Sequence, residues 1–252
     1  MDLRLQDRSV LVTGATRGIG RAIALAYARE RARVAITFAS DADAAADTVS
    51  EIEQSGGSGL SVHLDLCDRA TIDAAVATVV NTHGGLDVAV ANAVRWPVDA
   101  RGALVDSDPG TWSTALEANL EGTVNTVRAA LPHLARSPDG RLVLISSGIA
   151  RQGMAGGTAY STGKGALEGL LASLKWEAGA AGVLVNIVSP GFTVTENNLA
   201  RFGDNVRESV RERTPSGHLS VPDDIASAVL LLGSPANGNI TGAYLPVAGG
   251  ID

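Results

Sequence analysis

Short, nearly continuous runs of Val, Ile, Leu and Ala recur along the chain, at 9–13, 33–38, 60–64, 86–91, 141–147, 184–189 and 243–247. Most of these runs lack polar alternation, which is the pattern of strands covered on both faces. Between them, apolar residues spaced three and four apart predict helices over 18–30, 41–55, 69–82, 111–135, 158–181 and 222–233. Ser55-Gly56-Gly57, His83-Gly84-Gly85 and Pro138-Asp139-Gly140 fall between these elements, where Gly and Pro supply the backbone conformations that turns require. Regular strand–helix succession predicts an α/β fold, with a seven-stranded parallel sheet and helices on both faces. No compositional break or repeat divides the chain, so 1–252 is expected to be one doubly wound domain. The stretch 192–220 follows the pattern least well and is expected to form an irregular substrate loop or lid.

Composition narrows the function. No apolar run reaches membrane-spanning length, and MDLRLQDRSV carries no secretory signal series, so a cytoplasmic protein without membrane contact is expected. A single cysteine, Cys67, and scattered histidines predict neither a disulfide framework nor a metal site. A net charge of −7 argues against nucleic acid as a partner. The cations are eighteen arginines and only two lysines, Lys164 and Lys175. Lys164 stands four residues after Tyr160, which stacks the two on one face of a helix. A compact ammonium about 4 Å from a phenol favours the phenolate by roughly 4 kcal/mol at an effective dielectric near 20. Tyr160 is therefore expected to be drawn toward neutrality, where acid–base catalysis is most efficient.

A second constellation sits at the first turn, where the first strand runs through Thr13-Gly14-Ala15-Thr16-Arg17-Gly18-Ile19-Gly20 into a helix. Glycines let the backbone approach a pyrophosphate, whose charge the free N–H groups of a helix N-terminus favour. The second strand ends Phe38-Ala39-Ser40 with no carboxylate before Asp41. An acid there would hold an NAD ribose, whereas Arg17 suits a 2′-phosphate. NADP is thus the expected cofactor, with NAD as the alternative.

These motifs, with Ser147 thirteen residues before Tyr160, resemble the short-chain dehydrogenase/reductase superfamily along essentially the whole chain. Further matches are Asp65-Leu66, Gly85-Leu86-Asp87-Val88, Asn119-Leu120 with Gly122, Asn186 with Pro190-Gly191 and Thr195, Pro222 with Asp224-Ile225-Ala226, and Thr241-Gly242 with Gly249-Gly250. The resemblance implies a Rossmann-type fold and a hydride transfer in which Tyr160 moves a proton to or from the substrate oxygen. It implies that Lys164 tunes Tyr160 and holds the nicotinamide ribose, that Ser147 bonds the same oxygen, and that Asn119 positions a water leading to Lys164. Gly14, Thr16, Arg17, Gly18, Ile19, Gly20, Phe38, Ser40, Asp65, Leu66, Asn92, Pro190, Gly191 and Thr195 would complete the cofactor site. Trp96, Met154, Phe192 and Phe202 are candidates for the substrate pocket, whereas Trp112 and Trp176 read as packing residues. Ser146 should face the opposite side of its strand from Ser147.

Two departures stand out. Val94 replaces a family glycine and is expected to redirect the loop beginning Arg95-Trp96-Pro97, and Ala248 replaces a C-terminal acid. The nearest resemblance is to 3-oxoacyl-carrier-protein reductases and bacterial ketoreductases. Basic positions that dock the acidic carrier correspond to Pro138 and Ala181, with Arg136 and Arg141 nearby. A small ketone, aldehyde or alcohol of specialised metabolism is therefore the expected substrate, with a β-keto acyl group on a carrier protein or CoA as the alternative. Enoyl reduction fits the Tyr–Lys spacing and Ser147 less well, and a catalytically silent NADP-binding regulator is the non-enzymatic reading. The resemblance also implies a homotetramer built on the helices at 111–135 and 158–181, or a homodimer.

Overall fold

The computed structural model describes residues 1–96 and 102–251. Seven strands, β1 (Ser9–Val12), β2 (Arg33–Phe38), β3 (Ser58–His63), β4 (Val88–Ala91), β5 (Arg141–Ile145), β6 (Leu184–Pro190) and β7 (Tyr244–Val247), form one sheet in the order β3-β2-β1-β4-β5-β6-β7. Every pairing is parallel. All seven expected strands are present, most ending a residue or two away from the expected limits.

The inner strands β1, β2, β4, β5 and β6 bury both faces while the edge strands β3 and β7 stay partly exposed, and the period of two divides the core. Val10, Val12, Val90, Val143 and Val188 point to one side, against Ile23 and Tyr27 of α1 (Gly18–Arg29), Ile52 of α2 (Ala42–Gln54) and Val229 of the helix Pro222–Leu232. Leu11, Ala89, Leu142, Leu144 and Ile187 point to the other, against Val76 and Val79 of α3 (Arg69–His83) and helices further along the chain. Each fully buried Leu or Ile contributes about 1.5–3 kcal/mol relative to exposure, so the two layers hold the sheet from both sides.

The expected helix over 111–135 is three segments: α4 (Pro109–Leu116), a π-helical turn at Glu117–Glu121, and α5 (Gly122–Leu134). Asp108 caps α4 through Thr111 N and Pro109 opens it, which moves its start two residues earlier than expected. After β5 come a single turn, α6 (Ile149–Gln152), and the long α7 (Thr158–Ala180). The stretch 192–220 is not irregular throughout, because it carries α8 (Glu196–Arg201) and α9 (Asp204–Arg213) before α10 (Pro222–Leu232). Thr195 caps α8 by accepting from Asn198 N, a local signal that helical spacing alone does not register in so short a segment. No helix among the described residues is long and apolar enough to cross a membrane.

Candidate active site

Strand order reverses between β1 and β4, and this switch point opens a crevice at the carboxyl ends of the strands. The glycine turn lies there, held from three sides. Thr13 N donates to Val90 O at 3.0 Å, Gly14 N to Thr37 Oγ1 at 3.1 Å, and Asn92 Nδ2 to Thr13 O and Gly14 O at 2.9 and 3.0 Å. Gly14 has φ +62, and a Cβ on Gly20 would stand 2.4 Å from Gly14 O. Backbone therefore comes closer here than any side chain permits. α1 begins at Gly18, and its N-cap residue Arg17 makes no side-chain cap bond. The first-turn N–H groups thus face the cradle, which fits a pyrophosphate.

Around the cradle, Phe38 packs edge-on against His63 with centroids 5.8 Å apart, and Ser40 is exposed at the end of β2. Arg17 pairs with Asp41 at 3.3 Å, both being roughly half exposed. Asp65 Oδ1 accepts from Cys67 N at 2.9 Å, which shapes the turn carrying Leu66. Thr195 lies across the groove, its Cγ2 3.4 Å from where a Cβ on Gly18 would be. Pro190 O accepts from Gly148 N at 2.8 Å and Gly191 N donates to Val247 O at 3.0 Å, so these two residues join β5 and β7 at the far wall. Asn92, expected along the adenosine, also braces the glycine turn with its side-chain amide.

The expected catalytic groups converge at the end of β5. Tyr160 is 9% exposed and Lys164 3%. Ser147 makes a side-chain hydrogen bond to Tyr160. Ser146, on the opposite strand face, donates to Lys164 O at 3.0 Å, so the adjacent serines have separate tasks. Lys164 Nζ donates to Ile145 O at 2.7 Å, fixing the ammonium to the strand end.

The electrostatics correct one expectation. Burial pushes the Tyr160 phenol above its ordinary value, and the Ser147 hydrogen bond only opposes that rise. Burial also lowers Lys164 to about 8, which weakens the charge meant to draw Tyr160 down. Desolvation of the phenolate outweighs the ammonium, whose hydrogen bond goes to Ile145 O. Tyr160 therefore keeps its proton at neutral pH.

Asn119 sits in the π-helical turn with both its amide oxygen and its amide nitrogen hydrogen-bonded. Its Oδ1 accepts from Arg95 N at 2.9 Å, while Nδ2 donates to Arg95 O at 2.8 Å and to Ala115 O at 3.0 Å. The amide thereby pins the loop after β4. Val94 does not adopt positive φ, so the valine meets no backbone strain of the kind that would demand glycine. Pro97, and the rest of that loop through residue 101, lie outside the described residues.

Of the expected pocket residues, Trp96 packs on Tyr160 with centroids 4.5 Å apart, and Phe192 meets Phe202 edge-on at 5.4 Å. Met154 is 37% exposed, packing beside Gly157. Arg201 escaped the sequence reading although its guanidinium lies 4.7 Å from the Trp96 ring centroid. No sequence signal pairs residues so distant in the chain. Trp112 packs with Ala115 and Ala159 as expected, but Trp176 is 75% exposed rather than a core residue. It lies on the outer face of α7, where periodicity registers an apolar position without saying what covers it.

A glycine cradle at a sheet's switch point, beside a buried tyrosine and lysine, is the site of a nucleotide-dependent oxidoreductase. A family model described as enoyl-(acyl carrier protein) reductase matches residues 14–252. A Staphylococcus aureus protein named 3-oxoacyl-(acyl-carrier-protein) reductase FabG is 32% identical over 244 residues, covering 97% of this chain and 98% of its own. A dehydrogenase/reductase structure from Sinorhizobium meliloti 1021 superposes with TM-score 0.92 at 36% identity, covering 100% of this chain and 97% of that one. A short-chain dehydrogenase from Burkholderia cenocepacia J2315 in complex with NADP superposes with TM-score 0.90 at 34% identity, covering 98% of this chain and 99% of that one. The chain belongs to the short-chain dehydrogenase/reductase superfamily, close to the FabG-like ketoreductases.

Proposed function

We propose that this protein is an NADPH-dependent ketoreductase acting on the carbonyl of a small molecule, with the secondary alcohol as product. The observation that carries the reading is the buried Tyr160, bonded to Ser147 and one helical turn from Lys164, beside the glycine cradle. The NADP complex of the Burkholderia cenocepacia relative supports the choice of cofactor. When bound, NADPH supplies a hydride to the carbonyl carbon.

The chain's own residues do the rest. Ser147 and Tyr160 donate hydrogen bonds to the carbonyl oxygen, and Tyr160 releases its proton there as the oxygen becomes a hydroxyl. Lys164, anchored on Ile145 O, places positive charge where the phenolate forms and is positioned to meet the ribose hydroxyls. The N-terminus of α1, with Gly14, Thr16, Gly18, Ile19 and Gly20, holds the pyrophosphate; Asp65, Leu66 and Asn92 bound the adenosine side. Arg17 and Ser40 receive the 2′-phosphate, for which Arg17 exchanges its exposed partner Asp41. Pro190, Gly191 and Thr195 border the nicotinamide end, and the 192–220 segment acts as a lid.

Tyr160→Phe is expected to retain NADPH binding while losing about 10²- to 10⁴-fold in turnover. Normal turnover in that variant, or more than tenfold preference for NADH, would contradict the assignment. A 3-oxoacyl group on a carrier or CoA is the second reading, supported by the Staphylococcus aureus relative's name. Arg141 gives that reading no docking charge, because it is 5% exposed and donates to Ser234 O and Asn237 O. Arg136 remains exposed nearby. The reading also includes a cytoplasmic homotetramer, its assembly supported by the exposed Trp176 on the outer side of α7.

A further inference from the structure

We propose that Trp96 is the specificity-determining residue of this ketoreductase, selecting carbonyl substrates that carry a flat, conjugated substituent such as an aryl ring. The inference rests on the ketoreductase reading and adds the substrate class. The indole lies against the ring of the proton donor, with centroids 4.5 Å apart and planes inclined at 48°. Any molecule whose carbonyl oxygen accepts from Tyr160 and Ser147 therefore has the indole as an immediate neighbour.

Three elements hold that wall in place. Asn119, in the π-helical turn, brackets the backbone of Arg95 through both its N–H and its carbonyl, at 2.9 and 2.8 Å. Tyr160 supports the indole from α7. Arg201, the last residue of α8, lies 4.7 Å from its centroid, a cation–π contact reaching across from the lid. Phe192 and Phe202 pack together at 5.4 Å and fix the end of α8 that bears Arg201. A wall built this way is planar and resists displacement, so it favours a ring that stacks on it over a puckered group of equal size. Arg201 acts through Trp96 and is a positioning residue.

The test compares acetophenone with cyclohexyl methyl ketone, which differ in flatness more than in size, using NADPH and wild type, Trp96→Leu, Trp96→Phe and Arg201→Met. Because the intrinsic reactivities of the two ketones cancel between variants, the informative quantity is the change in their kcat/KM ratio. Trp96→Leu is expected to lower the aryl preference about tenfold, mainly through KM for acetophenone, and Trp96→Phe to retain most of it. Arg201→Met is expected to lower the ratio by a smaller factor with kcat little changed, an effect that a general loss of folding would not produce. Equal loss for both ketones in Trp96→Leu, or equal gain because the indole obstructs the site, overturns the proposal. So does a wild type that reduces a simple 1,2-diketone but neither test ketone. NADPH binding with no reduction of any carbonyl instead overturns the ketoreductase reading, and the substrate class with it.

Discussion

Tyr160 and Lys164 are both buried, and burial moves them in opposite directions: the phenol upward, the ammonium down to about 8. Each shift disfavours the charged form. As pH rises from neutrality, Tyr160 keeps its proton beyond its ordinary range, whereas Lys164 becomes neutral near 8. The first basic limb in the pH profile of kcat/KM for ketone reduction is therefore expected near 8 and belongs to Lys164. In Lys164→Arg the guanidinium stays charged throughout the range of the assay, so that limb should vanish. Turnover at neutral pH should fall by roughly tenfold or more, because a planar fork does not reproduce a point charge on Ile145 O. A limb that persists near pH 8 in the variant, or near-normal activity, would remove Lys164 from the role assigned to it.

At the scale of elements, the β1–α1 turn combines local chemistry with distant support. Its glycines can be read directly from the chain, but Thr37 from β2 and Asn92 beyond β4 hold its backbone. Gly20 shows why no side chain fits, since a Cβ would come within 2.4 Å of Gly14 O and 2.5 Å of Asn92 Nδ2. Gly20→Ala is expected to cost about 1–3 kcal/mol of stability through this overpacking. The displaced turn should also weaken NADPH binding at least tenfold, measurable by fluorescence titration beside a thermal melt. Unchanged affinity would show that the turn does not hold the pyrophosphate. The π-helical turn at Glu117–Glu121 works the other way, since its role depends on tertiary contact. From it Asn119 donates to Ala115 O and clamps Arg95, and the clamp carries Trp96 to Tyr160. Periodicity reads 111–135 as one helix because apolar spacing over so short a stretch does not distinguish a single widened turn from an α-helical one.

Across the whole molecule, two apolar layers cover the sheet, yet α7 leaves Trp176 75% exposed on its outer side. An isolated exposed Trp is common enough, but α7 also carries Tyr160 and Lys164 on its inner face, so assembly through it would stiffen the candidate site. Light scattering is expected to find a tetramer at micromolar concentration. Trp176→Arg should yield smaller species with an unchanged far-ultraviolet spectrum; a monomeric wild type would contradict this reading.

The seven strands, the parallel doubly wound sheet, the glycine cradle and the Ser147, Tyr160 and Lys164 set were all legible in the sequence alone. Each is encoded by local spacing: a period of two or near-continuous apolar runs for buried strands, glycines at a strand–helix turn, and a four-residue step on a helix. Tertiary structure alone decided the direction of the Tyr160 shift, the anchoring of Lys164 on Ile145, the clamp of Asn119 on Arg95, and the placing of Arg201 over Trp96. These depend on burial and on contacts between segments far apart in the chain. Desolvation and long-range packing arise only when those segments meet, so no local pattern records them.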